Sequence, residues 1–262
     1  MRSATAAILV TALAGLSCKD GGPDVNLLSL EDDIELGAQL HDEILSNPDE
    51  YPLLDPEAFA DAYEHMYRIR DAILASDDIR YAEEFEWQLY ILHDDEVLNA
   101  FAAPGGYIYV YTGLIRFLER EDDLAGVLGH EIAHADRRHS TQQLTKAYGV
   151  STLLDVLLGE DQGMLADIAA SLVNLRFSRA DEAESDEYSV RYLCDTDWAA
   201  DGAAAFFEKL LADGGLELPE FLSTHPSSES RVEHIRDLAD ELACSTEPNP
   251  DAQYQALLDA LP

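Results

Sequence analysis

Two histidines four residues apart, His130 and His134, lie inside a stretch with the pattern of one amphipathic helix, Glu121 to His139. Its first turn is acidic, which suits the positive end of a helix dipole. Apolar residues then recur at the spacing of one buried helix face: Leu124, Val127, Leu128 and Ile132. Side chains four apart project from the same face, so both imidazoles can bind one zinc ion. Glu131 is offset by one position and can take a proton from the water that the metal holds.

A zinc site of this kind needs a third protein ligand, and the sequence excludes one of the two usual sources. A third histidine six residues after the second would fall at Ser140, and His139 is one position out of register. The remaining source is a carboxylate from a later helix. The best segment is 177–186, where Glu182 and Asp186 share one helix face. An acid-rich helix is equally typical of a solvated surface, so spacing alone puts Glu182 only modestly ahead of its neighbours.

The charge balance limits the partners of the chain. Among 262 residues, 53 are acidic and 16 are Lys or Arg, which gives a net charge of −37. A surface this acidic repels phosphate backbones and anionic lipids, so we expect no nucleic-acid partner. Apolar residues make up 47% of the chain, enough for a packed core in one sizeable domain or at most two small ones.

The N-terminus has the pattern of an export signal. Arg2 precedes an uncharged apolar stretch, Ala4 to Leu16, which is too short to span a membrane comfortably. A small residue before Cys18 is typical of a bacterial lipoprotein cleavage site. We therefore expect a signal peptide at 1–17 and a tether at 18–30, with membrane contact only through a lipidated Cys18. Ordinary secretion and a retained, uncleaved helix are the alternatives, and the expected location is the periplasm of a bacterial cell envelope.

The other two cysteines leave a question open. If Cys18 carries the lipid, Cys194 and Cys244 remain as an even pair. In an oxidising compartment they can form a disulfide, and two separate buried thiols fit the sequence almost as well.

The rest of the chain predicts a predominantly helical α+β domain at 31–245, followed by a flexible tail at 246–262. Helical spacing over Glu31–Ser46 and Pro56–Ala75 predicts two helices ahead of the site. Alternating apolar residues and a Pro-Gly-Gly turn then indicate a small sheet with a hairpin. From Leu114 to Ala243 the pattern is almost entirely helical.

Several segments carry a family resemblance, in this order: Asn99 to Ile108 with Thr112-Gly113-Leu114, Glu121 to His134 with Arg138-His139, Phe177 to Asp186, and Thr224-His225-Pro226 with Glu229-Ser230-Arg231. Together they resemble the HtpX, BepA, Oma-type and CAAX-prenyl-protease group of zinc metallopeptidases, the forty-eighth metallopeptidase family. The resemblance covers roughly residues 31–240. It implies a zincin-like domain with a small β-sheet beside the active-site helix and one zinc ion per chain. The long apolar helices of the membrane-integral relatives do not occur in this sequence, so we expect a soluble-domain member.

The resemblance also implies roles for individual residues. Glu182 becomes the third zinc ligand, and Asp186 orients a ligating histidine through its other ring nitrogen. Arg231 would likewise support the zinc ligands without binding the metal. The alternative is a simple ion pair with a nearby acidic residue. His225 would stabilise the oxyanion of the tetrahedral intermediate. In BepA-like relatives a corresponding histidine can instead cap the zinc and hold the enzyme latent. A third interpretation is that His225-Pro226 only marks the start of a helix.

The strand around Asn99, Ala100, Phe101 and Ala102 gains a purpose from the same resemblance. An extended polypeptide substrate can add beside it, main chain to main chain, which aligns a peptide bond over the zinc. An ordinary hairpin that covers the core is an equal alternative.

These features together predict a zinc metalloendopeptidase that cleaves misfolded or envelope proteins in quality control, by Glu131-assisted attack of zinc-bound water. A chaperone-like holding factor with little or latent protease activity is the alternative. A purely structural zinc site is a third interpretation, which the open fourth position and the glutamate beside the first histidine disfavour.

Overall fold

The computed structural model of the protein describes residues 26–212, 220–225, 229–249 and 252–262. The predicted signal peptide, Cys18 and most of the tether lie outside the described residues. None of the helices in the described stretches is long and apolar enough to cross a membrane.

The described chain is predominantly helical. The α-helices are α1 Leu30–Ser46, α2 Ala60–Leu74, α3 Thr112–Phe117, α4 Glu121–Asp136, α5 His139–Tyr148, α6 Val150–Leu157, α7 Gln162–Leu172, α8 Arg179–Leu193, α9 Gly202–Ala212, α10 Glu220–Thr224, α11 Glu229–Glu241 and α12 Ala252–Ala260. The strands are β1 Gln88–Leu92, β2 Ala100–Ala103 and β3 Tyr107–Tyr111, with a 3₁₀ turn at Pro104–Gly106. The predicted fold class, α+β with a small sheet, is confirmed.

The three strands form one sheet in the order β1-β3-β2. β2 and β3 make the predicted antiparallel hairpin, while β1 pairs with β3 in parallel. The hairpin turn needs glycine, because Gly105 and Gly106 have φ values of 76° and 91°, in the left-handed region. β3 is buried along its whole length, so the sheet forms an inner layer with β2 as one edge.

Helix α4 lies in the centre of the domain, and all of its residues are buried. It packs most extensively against α8 and α9. A Cβ at Gly129 would lie 2.8 Å from the Ser189 hydroxyl on α8, and one at Gly126 would overlap the backbone at Ala203 on α9. Glycine at these two positions therefore lets both helices come close enough to surround the histidine motif.

The helix that carries the motif is shorter than the sequence pattern predicts. It ends at Asp136 instead of His139, because Arg138 adopts a left-handed conformation with φ of 62°. Arg138 is held there by a hydrogen bond from Nε to Asp33 Oδ2 and by bonds from Nη2 to the carbonyls of Leu28 and Ser29. The chain turns at this point, and α5 starts at His139.

The C-terminal end also differs from the prediction. Residues 252–262, which lie in the predicted flexible tail, contain helix α12, which packs on α2. Tyr254, Leu257 and Leu261 are buried in the main core, at the spacing of one helix face. This helix is short and follows a segment rich in Pro, Asn and Asp, which obscures its pattern in the sequence.

Cys194 and Cys244 form a disulfide. The bond ties the end of α8 to the residues that follow α11. A cross-link over this span stabilises a fold by roughly 2–4 kcal/mol, because it constrains the unfolded chain. It decides between the two interpretations of the cysteine pair.

Candidate metal centre

The metal-binding candidates of two separate helices meet in one buried place. His130 and His134 project from α4 with their Nε2 atoms 3.0 Å apart. Glu182 comes from α8, with its carboxylate oxygens 3.5 Å from each of these nitrogens. The ligand atoms of these three residues and of His225 all lie within 4.8 Å of one another. The helical repeat of α4 places its two histidines on one face. Helix α8 begins with a capping box at Ser178, which fixes its first turn.

A second ring of groups holds these donors. Asp186 Oδ1 lies 3.0 Å from His130 Nδ1, the ring nitrogen that points away from the other donors. Arg231 donates from Nε and Nη2 to the two oxygens of Asp186 at 2.7 and 2.6 Å. Its Nη1 lies 2.6 Å from Glu182 Oε2. The guanidinium therefore bridges both carboxylates and fixes α11 against α8.

The electrostatics prepare the centre for a cation. Burial alone would lower the pKa of His130, but hydrogen bonds to Asp186 and Glu182 outweigh it and raise the pKa to about 9. Burial holds the pKa of His134 well below its usual value. For Glu182, burial raises the pKa, but the charge of His225 and hydrogen bonds with three imidazoles bring it well below its usual value. Glu182 is thus held as an anion among imidazoles.

The carboxylate of Glu131 lies beside these donors and makes no hydrogen bond to the described chain. Its side chain is buried, and neither carboxylate oxygen has a hydrogen-bond partner among the described residues. Burial raises the pKa of this carboxyl, so its proton affinity is increased. The nearest partner is His225, whose Nε2 lies 3.6 Å from Glu131 Oε1, beyond hydrogen-bond distance. A buried carboxylate without hydrogen bonds is costly, which makes Glu131 a candidate functional group.

The donor set fits one zinc ion. Zinc takes imidazole nitrogens and carboxylate oxygens in a tetrahedral arrangement, and these are the donor types that converge here. The charges also fit, since Glu131, Glu182 and Asp186 against Arg231 leave two formal negative charges for a divalent cation to balance.

His225 occupies the centre together with these ligands. Its Nδ1 lies 2.9 Å from Glu182 Oε1 and 3.3 Å from His130 Nε2. The ring stacks between Phe221 and Phe177, at centroid distances of 4.5 and 5.3 Å. His225 is thus placed as a fourth donor, which corresponds to the capping arrangement and leaves no position open in this conformation.

Comparison with known proteins agrees with this geometry. Residues 68–239 match the family model described as Peptidase family M48. The chain belongs to peptidase family M48.

Among its relatives, metalloprotease YcaL of Escherichia coli is 29% identical over 158 residues, which cover 58% of this chain and 61% of YcaL. The mitochondrial metalloendopeptidase OMA1 of Arabidopsis thaliana is 33% identical over 57% of this chain and 31% of its own length. The β-barrel assembly-enhancing protease of Yersinia pestis is 30% identical over 66% of this chain and 38% of its own length. The matched region therefore covers less than two thirds of each of these relatives.

The M48 chain presents β2 as the edge strand that substrate addition requires, but this edge is covered. The carbonyl of Leu98 accepts a hydrogen bond from the Phe221 backbone on α10, and the carbonyl of Ala102 accepts one from the Ser140 hydroxyl. The side chain of Asn99 is directed elsewhere and donates to the carbonyl of Val173. Ala100 and Phe101 are buried as well. A further strand can pair with these two carbonyls only after both α10 and the Ser140 side chain move away.

Sequence reasoning missed three groups at this M48 centre. Phe177 packs on His134 at a centroid distance of 3.9 Å, and Phe221 forms the opposite wall beside His225. His139 is not one of the metal-binding candidates, as the sequence predicts, but its Nδ1 contacts Nδ1 of His134. Phe177 and His139 lie in segments that resemble the family, whereas nothing in the sequence pattern points to Phe221.

Proposed function

We propose that the protein is a zinc-dependent endopeptidase of the bacterial cell envelope that hydrolyses peptide bonds in misfolded or envelope proteins. The observation that carries the proposal is the convergence of His130, His134 and Glu182 on one point, with the unpartnered carboxylate of Glu131 beside them. This is the donor set and base of a metallopeptidase.

The residues of the chain have separate tasks in this reaction. When bound, zinc supplies a Lewis acid that polarises the scissile carbonyl and acidifies a water molecule. Glu131 takes the proton of the attacking water and passes it to the leaving amine. Asp186 accepts a hydrogen bond from the Nδ1–H of His130, which would leave the Nε2 lone pair available to a bound metal.

Two observations support an envelope location. The Cys194–Cys244 disulfide is typical of proteins in oxidising compartments. The β-barrel assembly-enhancing protease of Yersinia pestis is a relative whose name refers to an envelope process. With the export pattern that ends at Cys18, they favour a periplasmic, lipid-anchored protein.

Fractionation combined with a cleavage assay tests the proposal. We expect the full chain, produced in a Gram-negative host, to cleave casein in the membrane fraction, and a chelator to abolish this cleavage until zinc is restored. Cys18→Ser is expected to release the protein from the membrane. A cytosolic protein with free thiols at Cys194 and Cys244 would refute the envelope location, and cleavage that a chelator leaves unchanged would refute the zinc mechanism.

We further propose that the described conformation is latent, and that the cleavage by the wild-type protein comes from a minor open fraction. His225 completes the donor set, and the carbonyls of Leu98 and Ala102 are bonded to Phe221 and Ser140, so both the metal position and the predicted substrate position are taken by groups of the chain itself. This closure is also the observation that favours the alternative function, a holding factor for unfolded chains that rarely cleaves them. Opening requires the segment 221–225 to withdraw. Gly214 and Gly215, the flexible residue pair that precedes this segment in the sequence, lie outside the described residues.

His225→Ala is expected to raise casein cleavage about tenfold or more. The charged hydrogen bond to Glu182 that it removes is worth about 1.5–3 kcal/mol, and every 1.4 kcal/mol shifts the open fraction about tenfold. The measurement is the initial rate at saturating zinc. His234→Ala, an exposed histidine on α11, is the control and should change nothing. A loss of about a hundredfold would show instead that His225 acts only on the oxyanion.

A further inference from the structure

The two histidines that α4 contributes to the metal centre, His130 and His134, differ in the group that contacts their outer ring nitrogen. The outer nitrogen of His130, Nδ1, faces the carboxylate of Asp186 directly. The outer nitrogen of His134, also Nδ1, faces another imidazole, because His139 Nδ1 lies 3.1 Å away. Ligating histidines ordinarily donate this outer N–H to a carboxylate, a carbonyl or a water. The contact between His134 and a second imidazole departs from this rule.

His139 is buried and is placed by the turn that ends α4. The left-handed Arg138 reverses the chain, and its bonds to Asp33 and to the carbonyl of Leu28 fix the turn. As the first residue of α5, His139 then lies behind His134, with the Ser185 hydroxyl 3.2 Å from the same Nδ1. This position depends on contacts outside the metal centre.

The other face of His139 meets a carboxylate. Its Nε2 lies 3.4 Å from Glu184 Oε2, and the second oxygen of Glu184 accepts a hydrogen bond from Arg137 Nε at 2.8 Å. The two oxygens of this carboxylate therefore face one donor each, Arg137 and His139. The row of contacts thus runs from His134 through His139 to Glu184, whose side chain is 42% exposed.

Proton positions along this row follow from the chemistry of imidazole. A histidine that binds a metal through Nε2 carries its proton on Nδ1, so His134 must donate there. The lone pair that can accept this proton is on His139 Nδ1, which puts the proton of His139 on Nε2, facing Glu184. Each N–H in the row then has an acceptor, and one tautomer of each ring satisfies all contacts.

We propose that His139 and Glu184 are positioning residues, which fix the tautomer and ring orientation of His134 for the metal. The proposal rests on the zinc site and is independent of the substrate and the cellular location. Asp186 is buried and contacts the outer ring nitrogen of His130 directly. The outer nitrogen of His134 reaches a carboxylate only through His139, and that carboxylate, Glu184, lies near the surface. Loss of His139 should therefore weaken metal binding more than loss of Glu184, which water can partly replace.

The experiment measures zinc affinity by competition with a chromogenic chelator, on the full protein with its disulfide formed. His139→Ala is expected to weaken zinc binding by roughly 10–100-fold, the usual effect of losing a group behind a ligating histidine. His139→Asn should recover part of the loss, because its amide oxygen can accept the His134 proton. Glu184→Ala should give a smaller loss. Glu187→Ala is the matched control, since Glu187 lies on the same helix and pairs with Arg191.

A double-variant cycle separates positioning from general damage to the fold. If the two residues act in one row, the His139→Ala/Glu184→Ala protein should bind zinc about as weakly as His139→Ala alone. Fully additive losses, or an affinity of His139→Ala within about threefold of the wild type, would overturn the proposal. The Asn variant keeps the test valid should the Ala variant fold poorly. Because zinc affinity is the readout, the result stands whether or not any casein is cleaved.

Discussion

Replacing Glu131 with Gln is expected to lower kcat/KM for casein by about a thousandfold or more, while one zinc ion per chain remains bound. The amide has nearly the same shape but cannot take the proton of the attacking water, and proton transfer of this kind contributes about 10²–10⁴-fold. The side chain is fully buried and has no hydrogen-bond partner among the described residues, so few contacts change with it. Zinc content and initial cleavage rates are measured on the same preparation.

The same variant separates the two candidate functions. A holding factor would suppress aggregation of unfolded chains equally well as the wild type and as the Glu131→Gln variant, and neither protein would cleave them. Glu187→Gln serves as the control for a removed charge, because Glu187 pairs with Arg191 away from the centre. A Glu131→Gln protein that cleaves casein at the wild-type rate would exclude Glu131 as the base and with it the proposed mechanism.

Arg231→Ala is expected to lower the free energy of unfolding of the metal-free protein by about 3–5 kcal/mol. Removing one partner of a buried ion pair leaves an uncompensated charge, and here two carboxylates, Glu182 and Asp186, lose their shared cation. Zinc should reduce the loss, because it supplies positive charge beside the same carboxylates and binds only the folded chain. Urea unfolding with and without saturating zinc measures both values.

Arg236 offers a matched control on the same helix. Its pair with Glu208 is about half exposed on both sides, and exposed pairs contribute about 0–1 kcal/mol. Arg236→Ala should therefore shift the unfolding midpoint only slightly, with the same result in zinc. If the two variants unfold alike, Arg231 does not stabilise the packing of α11 on α8 in the way that its contacts indicate.

The part of the site that lies within one helix was accessible from the sequence. The repeat of 3.6 residues alone puts His130 and His134 on one face of α4, with Glu131 beside them. Spacing could also put Glu182 and Asp186 on one face of a later helix, but it could not rank Glu182 above its acidic neighbours. The resemblance to a family supplied that choice, and the packing of α8 on α4 supplied the contact.

Contacts between distant segments were decided by the tertiary structure. Whether His225 caps the centre depends on α10, which is held by a backbone hydrogen bond between Phe221 and Leu98. Whether His139 supports His134 depends on the left-handed Arg138 and its bond to Asp33, which lies 105 residues earlier. Neither arrangement leaves a periodic pattern, because each results from single contacts between residues far apart in the chain.

The sequence by itself determined most of the helices, the hairpin, the pair of histidines and the glutamate beside them, since each is specified by geometry within about one or two helical turns. The tertiary structure alone decided that His225 completes the donor set and that Cys194 is bonded to Cys244. The physical reason is the same in each case. Local backbone geometry repeats and leaves a pattern, whereas the packing of distant segments is a balance of many small energies that no short stretch of sequence contains.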